Sequence, residues 1–273
     1  MEDKKYKLTD ETIEVKGKTL YRIEALKDFC EIKKGDKGGF IESENNLAHE
    51  GDAWVSDDAC VSDNARVCGN ARVSDNARVC GYARVSDNAR VSDNASVSDN
   101  SRVCGNARVC GEALVYGIAC VYGGACVFDN ACVYNNASVS GYAQVYDNAI
   151  VYGDAWLYDY AFVDGNARVS DNARVCGNAR VYGDALVRGD ACVCGDAEIS
   201  TDADYIVFKN WWSSGRYFTW TRSNNMWSVG CFYGTGDELV KKAYKDSSKS
   251  GRQYERIVKY VEETLKEEEN GEH

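Results

Sequence analysis

From residue 53 to residue 203 the chain repeats with a period of six. Alanine stands at every sixth position from Ala53 to Ala203, with Ser101 the one exception among 26. Two residues after each comes a second apolar series, running from Val55 through Val61 and Val67 to Ile199. It holds 23 valines in 25 positions, with Leu157 and Ile199 in the other two. The unit reads Ala-x-Val-x-[Asp/Gly]-[Asn/Asp], as in Ala65-Arg66-Val67-Cys68-Gly69-Asn70, and no insertion breaks its register. In such a unit alanine and valine point one way and the x residues the other, because strand side chains alternate. The Gly, Asp or Asn pair that follows tolerates positive φ and turns a corner. Short strands joined by such corners predict a solenoid with a narrow triangular interior. Three hexads make a coil of 18 residues, so 25 hexads give about eight coils and a rod about 40 Å long.

The flanks lack the repeat. Residues 1–52 read as a β-rich cap: Thr12–Val15 and Thr19–Ile23, separated by Lys16-Gly17-Lys18, predict a hairpin. Ile41 and Leu47 fall in phase with the alanine series, so the solenoid is expected to begin there. A cap is needed because an open solenoid end exposes apolar core and unpaired backbone. The 53–204 solenoid gives way to a 205–273 α+β module. Strands are expected at 205–211, 216–222 and 226–232, followed by two helices. Thr235-Gly236-Asp237-Glu238 has capping-box form for the first helix, through about Asp246, and Ser250 is read as starting the second. Lys266 to His273 reads as a frayed acidic tail.

Composition sharpens this picture. The chain has 273 residues, no proline, 13 cysteines and a net charge of −11, from 32 Lys+Arg against 43 Asp+Glu. Missing proline suits an unbroken ladder in which every strand N–H is needed. Net acidity argues against a nucleic-acid groove. No run approaches the 18 or more apolar residues of a membrane helix. The start, Met1-Glu2-Asp3-Lys4-Lys5-Tyr6, lacks a signal-peptide core. A cytoplasmic location is therefore expected, with the cysteines as thiols.

The hexad resembles that of hexapeptide-repeat left-handed parallel β-helices. The wording Asp-Asn-Ala-Arg-Val and Gly-Asp-Ala-x-Val is similar to the YdcK-type β-solenoid repeats. The resemblance implies a mainly β fold, a left-handed parallel β-helix, and relatives among bacterial and phage or prophage proteins. The module with Gly230-Cys231-Phe232-Tyr233-Gly234-Thr235 resembles one that accompanies such repeats in phage-type proteins. Acyltransferases that share the helix generally use a histidine base and bind acyl-CoA between subunits, but a shared fold is not a shared function.

Outward residues recur every 18 positions and can be read as columns. Arg66, Arg84 and Arg102 form one; Arg72, Arg90 and Arg108 another. Residues 53–112 carry seven arginines against eight acids, and this reads as a salt-bridged surface that discourages edge aggregation, with a phosphate stripe as the alternative. Residues 113–167 hold no Lys or Arg but eleven aromatics. Tyr116, Tyr134 and Tyr152 form one ladder, Tyr142 and Tyr160 another, with Trp156, Tyr158 and Phe162 nearby. This belt is a candidate partner-binding surface or self-association surface, set against tyrosines that merely stabilise neighbouring coils. Four tryptophans lie within 211–227; Trp211 and Trp212 are further candidates for gripping a partner, against a role as core. Eleven cysteines occupy outward slots. Cys176, Cys192 and Cys194 form the one candidate metal or disulfide group, against cysteine as a permissive small residue.

Enzyme chemistry has little to draw on. The histidines are His49 and His273. His49, near Glu50 and Asp52, is the one candidate general base for acyl transfer. Gly35-x-x-Gly38-Gly39 lacks the Lys-Ser/Thr of a phosphate loop. No cofactor is implied. A non-catalytic binding or structural protein is the favoured reading, with an acyltransferase using His49 and an acidic DNA mimic as alternatives.

Overall fold

The computed structural model describes residues 4–269 and 271. Strands β1 (Tyr6–Val15), β2 (Lys18–Ala25) and β3 (Lys37–Ile41) open the chain. Twenty-five two-residue strands follow, one every six residues, from β4 (Trp54–Val55) to β28 (Glu198–Ile199). They stack into three parallel sheets, the three walls of a solenoid of about nine turns. Pairing is at 18 residues throughout this stretch, as in Arg66↔Arg84 and Arg84↔Arg102. Whereas Ala203, the last of the alanine series, is exposed in the helical turn Asp202–Asp204, from Ala53 to Ile199 the two series fill the interior with no solvent exposure beyond 1%. Ser101 is accommodated there because its hydroxyl donates to Ser98 O at 2.6 Å.

The corners explain the choice between Asp and Gly. The residue that turns each corner has positive φ, 56–60° at its aspartates and 65–73° at its glycines. Glycine adopts this conformation without strain; aspartate adopts it while its carboxylate bonds locally. Here the carboxylate reaches the corner one coil on. Asp87 accepts from the Gly105 N–H at 3.0 Å, Asp93 from Gly111 at 3.0 Å, and Asp99 from Gly117 at 3.0 Å. Asp147, Asp159 and Asp171 do the same further along.

Within the rod the N–H groups just before and just after each valine donate to carbonyls of the following coil, as in Arg84 N to Ser101 O and Ser86 N to Val103 O, both at 3.0 Å. For these bonds the first coil has carbonyls with no preceding coil to donate to them, and the last has N–H groups with no following coil to accept them. The side chains that cap the first coil are donors and those that cap the last are mainly acceptors, though Tyr205 Oη there also donates to Leu186 O at 2.9 Å. At the N-terminal end, Lys5 Nζ donates to Gly51 O (3.1 Å) and Ala53 O (2.7 Å), Tyr6 Oη to Leu47 O (2.7 Å), and Asn46 Nδ2 to Ala65 O (2.9 Å). At the C-terminal end acceptors meet the N–H groups. Asp202 Oδ1 takes Leu186 N (3.0 Å), Tyr205 Oη takes Arg188 N (3.3 Å), Thr219 Oγ1 takes Cys192 N (2.8 Å) and Ser223 Oγ takes Glu198 N (2.7 Å). Buried peptide groups left without such partners would be costly, so the caps fix where the rod stops.

The hairpin is longer than its sequence suggested, and β3 joins one wall through Phe40↔Cys60 and Ile41↔Val61. Leu47 bridges Val67. Ile41 and Leu47 thus begin the solenoid, but they pair at a separation of 20 and oppose the valine series. Ile41 and Leu47 keep the six-residue spacing, so the two extra residues of the first coil lie between Leu47 and Val55. Cys60, expected to face outward, is buried beneath Leu20 and Phe40 with Ile13 and Val15 over it.

The C-terminal module has four antiparallel strands, one more than expected: β29 (Tyr205–Lys209), β30 (Tyr217–Thr221), β31 (Met226–Val229) and β32 (Phe232–Gly234). The Thr235 capping box is formed and starts α1 (Gly236–Asp246). Helix α2 (Ser248–Glu269) begins two residues earlier than expected, with Ser247 Oγ accepting from Ser250 N, and it continues into the supposed tail. Trp212, Phe218, Trp220, Trp227, Tyr254 and Val258 lie in the core between sheet and helices.

Candidate interaction surface

The aromatic belt wraps the rod and is divided among its three walls. Tyr116, Tyr134 and Tyr152 lie on the wall that β3 starts, as the outward neighbours of Val115, Val133 and Val151. Their rings stack at 4.9 and 5.2 Å with interplanar angles of 2° and 7°. Beside them runs a second outward column, Leu114, Cys132 and Ile150, paired in register. Together these six side chains make a continuous apolar face three coils deep. Leu114 is 40% exposed, and Ile118, at the adjoining corner, 53%.

The stacking sets what this face can bind. The tyrosine ring faces are turned to one another along the ladder, so the edges and hydroxyls are what a partner meets. Burial, then the neighbouring phenol, pushes the Tyr116 and Tyr134 hydroxyls above the usual tyrosine range, so both stay neutral donors at neutral pH. Among the described residues no acceptor is bonded to any of the three hydroxyls. An apolar, aromatic surface carrying a few hydroxyl donors free to bond a partner is the composition of a protein–protein interface core.

The other aromatic candidates lie elsewhere. Trp156 and Tyr158 are on a second wall, 4.9 Å apart and tilted, with Trp156 Nε1 donating to Ser140 Oγ at 3.3 Å. Phe162 is half-buried on the third. That wall also holds buried Asp164, which accepts from Tyr146 Oη (2.6 Å) and from Arg180 Nε (2.8 Å). Burial first, and this bond next, push the Tyr146 phenol up to about 12. Tyr142 and Tyr160 stack at 5.3 Å on the corner between these two walls. The predicted site therefore resolves into one face, one corner and scattered neighbours. In the head, Trp211 is 76% exposed, whereas Trp212 is 8% exposed and packs edge-on to Tyr254 and Phe218. Trp212 is core, because the 205–209 strand ends just before it and the chain folds back over the helices.

The cysteine trio does come together: the sulfurs of Cys176, Cys192 and Cys194 lie within 4.8 Å of one another. Cys176 and Cys194 are joined in a disulfide, with Cα atoms 4.7 Å apart, and Cys192 Sγ lies 3.4 Å from Cys194 Sγ. This corrects the expectation that all the cysteines are thiols. Stacking on adjacent coils places the two sulfurs in bonding reach, and the bond removes two of the three donors a metal would need.

His49 lies against the N-terminal hairpin, its ring stacked 4.4 Å from that of Tyr6. Nδ1 accepts from the Lys5 N–H at 3.3 Å, which puts the proton of the neutral ring on Nε2. Nε2 is buried and unbonded, 3.7 Å from the Glu44 carboxylate. The nearest anion is therefore Glu44, which Lys4 holds below the usual carboxylate range, and not Glu50 or Asp52. With its one free lone pair occupied, this imidazole is poorly set to accept a substrate proton. His273 lies outside the described residues. Cys231 is exposed and far along the chain from His49, the one described histidine.

A three-walled parallel rod of hexads defines a β-solenoid repeat protein. Four stretches of the rod, residues 65–81, 83–99, 143–159 and 173–189, match the YdcK β-solenoid repeat. No curated protein sequence matches the chain. Seven solved chains match in structure. Among them is a Bacillus cereus protein assigned only provisionally as an acetyltransferase, 8% identical, with 67% of this chain and 92% of that one covered and a TM-score of 0.22. Likeness at that level says nothing about activity. No described helix is long and apolar enough to cross a membrane.

Proposed function

We propose that the chain is a non-catalytic binding protein, a rigid solenoid that presents a protein-docking face and carries a C-terminal head. The observation that supports this is the apolar face of Leu114, Tyr116, Cys132, Tyr134, Ile150 and Tyr152. Its rings stack on one another and leave edges outward, which suits a polypeptide partner better than a stacked sugar or base. The occupied His49 lone pair counts against acyl transfer. Aspartates bonded to corner N–H groups, and not arrayed in free stripes, count against DNA mimicry. The resemblance to phage-type proteins extends the proposal to a phage- or prophage-encoded protein acting in the host cytoplasm.

Changing Tyr116, Tyr134 and Tyr152 together to Ser tests it. Affinity capture from the source cell, with sedimentation to detect self-association, should lose its specific partner while the rod stays folded. Unaltered capture and mass would reject the face as the docking surface.

A further inference from the structure

The arginine columns are not salt-bridged as their composition suggested. Arg66, Arg84 and Arg102 lie in register on one wall, and Arg72, Arg90 and Arg108 in register on the next. The corner between these walls carries Asn70, Asn88 and Asn106, whose amides bond in sequence at 3.1 and 3.3 Å. The six arginines therefore flank one edge of the rod in three rungs about 4.8 Å apart. Five are exposed and Arg72 is half-buried. Among the described residues only Arg72 meets a carboxylate, Glu31 at 3.7 Å.

The acids that were expected to neutralise them are engaged elsewhere. Asp57 and Asp75 accept from the N–H groups of Asp75 and Asp93, and Asp63, Asp87, Asp93 and Asp99 from corner glycines. Asp58 faces Arg22 of the hairpin at 3.4 Å. On the edge itself the stretches 68–70, 86–88 and 104–106 contribute one acid, Asp87, whose Oδ2 also takes the Ser86 hydroxyl at 3.3 Å. The chain is acidic as a whole, but this edge is a cationic ladder.

We propose that the edge binds the phosphate backbone of a nucleic acid. Every cation of the 53–204 rod is arginine, whose planar fork pairs phosphate oxygens more specifically than lysine does. Guanidiniums stacked at this spacing repel one another until an anion enters between them. A ladder of identical rungs is matched by a polyanion with a regular repeat, whereas the surface of a folded acidic protein has none. The phosphates of a single strand and of a duplex share this chemistry. The outward edges and hydroxyls of Tyr142 and Tyr160, further along the same edge, favour the single strand, whose unpaired bases are free to hydrogen-bond with them.

Fluorescence anisotropy of the full chain with a short labelled single strand, an equally long duplex and a polyglutamate peptide tests this. The single strand should bind at low salt, with a log–log salt slope of about −0.7 per phosphate engaged, or about −4 if all six arginines take part. R66Q/R84Q/R102Q and R72Q/R90Q/R108Q should each weaken binding about tenfold or more and flatten the slope by about 2. Arg84→Glu alone should weaken it in the same direction, and Arg168→Gln, on the third wall, should leave it unchanged. Tighter binding of strand or duplex assigns the source of the phosphates. Absent binding at low salt, binding indifferent to both triple variants with unchanged circular dichroism, or equal binding of polyglutamate would overturn the proposal.

Discussion

Asp93 offers a sharp test of why this rod alternates Asp and Gly at its corners. Its φ is 58°, its Oδ2 accepts from Gly111 N at 3.0 Å, and its own N–H donates to Asp75 Oδ2 at 3.2 Å. Asp93→Ala removes the acceptor and leaves a Cβ in the left-handed region with no side-chain bond to compensate. The conformation costs a non-glycine residue roughly 1–2 kcal/mol. Losing an exposed hydrogen bond adds about 0.5–1.5 kcal/mol. The sum is about 1.5–3.5 kcal/mol. Asp93→Gly loses the same bond but relieves the backbone, so its net loss should stay within about 1 kcal/mol. Asp93→Asn keeps an acceptor and tolerates positive φ, and should be mildest. Hydrogen exchange suits a solenoid, whose coils open locally. Protection of the Gly111 amide should fall in the order Asn, Gly, Ala, with urea midpoints following. A glycine variant as damaged as the alanine variant, or an unaltered Gly111 amide, would refute the corner account.

Two further perturbations probe the ends. Burial is the main cause that lowers the Lys5 amine from 10.5 to about 8, Asp52 partly opposing it. Between about pH 8 and 10 the unfolded chain holds a proton that the folded chain has released, so stability rises with pH across that window. The charged amine costs stability below it, on the order of 1–2 kcal/mol once solvent screening is allowed for. Urea titrations should show this rise in the wild type and its absence in Lys5→Met; a rise equal in both would contradict the assignment. In the head, a Cβ at Gly251 would lie 2.3 Å from the ring of Tyr244, where α1 and α2 cross. Gly251→Ala should lower head stability by about 1–3 kcal/mol in thermal melts, and Tyr244→Ala should restore most of it.

The core was legible because alternating alanine and valine at period six leave few geometric solutions, and Ala53 to Ile199 occupy the seats their spacing assigns. The capping box at Thr235 was legible for a similar reason, since its two partners are close in sequence. Other features depended on distances that spacing does not carry. Two extra residues between Leu47 and Val55 shift the phase, so Ile41 and Leu47 pair with the other apolar series. Arg66 and Asp63 are neighbours in sequence, yet the Asp63 carboxylate meets the Gly81 N–H and the lysine at position 18. Eighteen-residue arithmetic placed Tyr116, Tyr134 and Tyr152 in one column correctly, but Trp156 and Phe162 belong to other walls. The opposed end chemistry, donors from Lys5 and Asn46 and acceptors from Thr219 and Ser223, had no local signature at all.

The docking face is tested most directly by replacing Tyr134 with photoreactive benzoylphenylalanine in the source cell. Its ring keeps the ladder position, so illumination should yield one discrete adduct of the rod with a partner protein. The same replacement at Tyr82, an exposed corner outside the ladder, should yield none. Absence of an adduct at Tyr134, or equal adducts at both positions, would contradict the binding account.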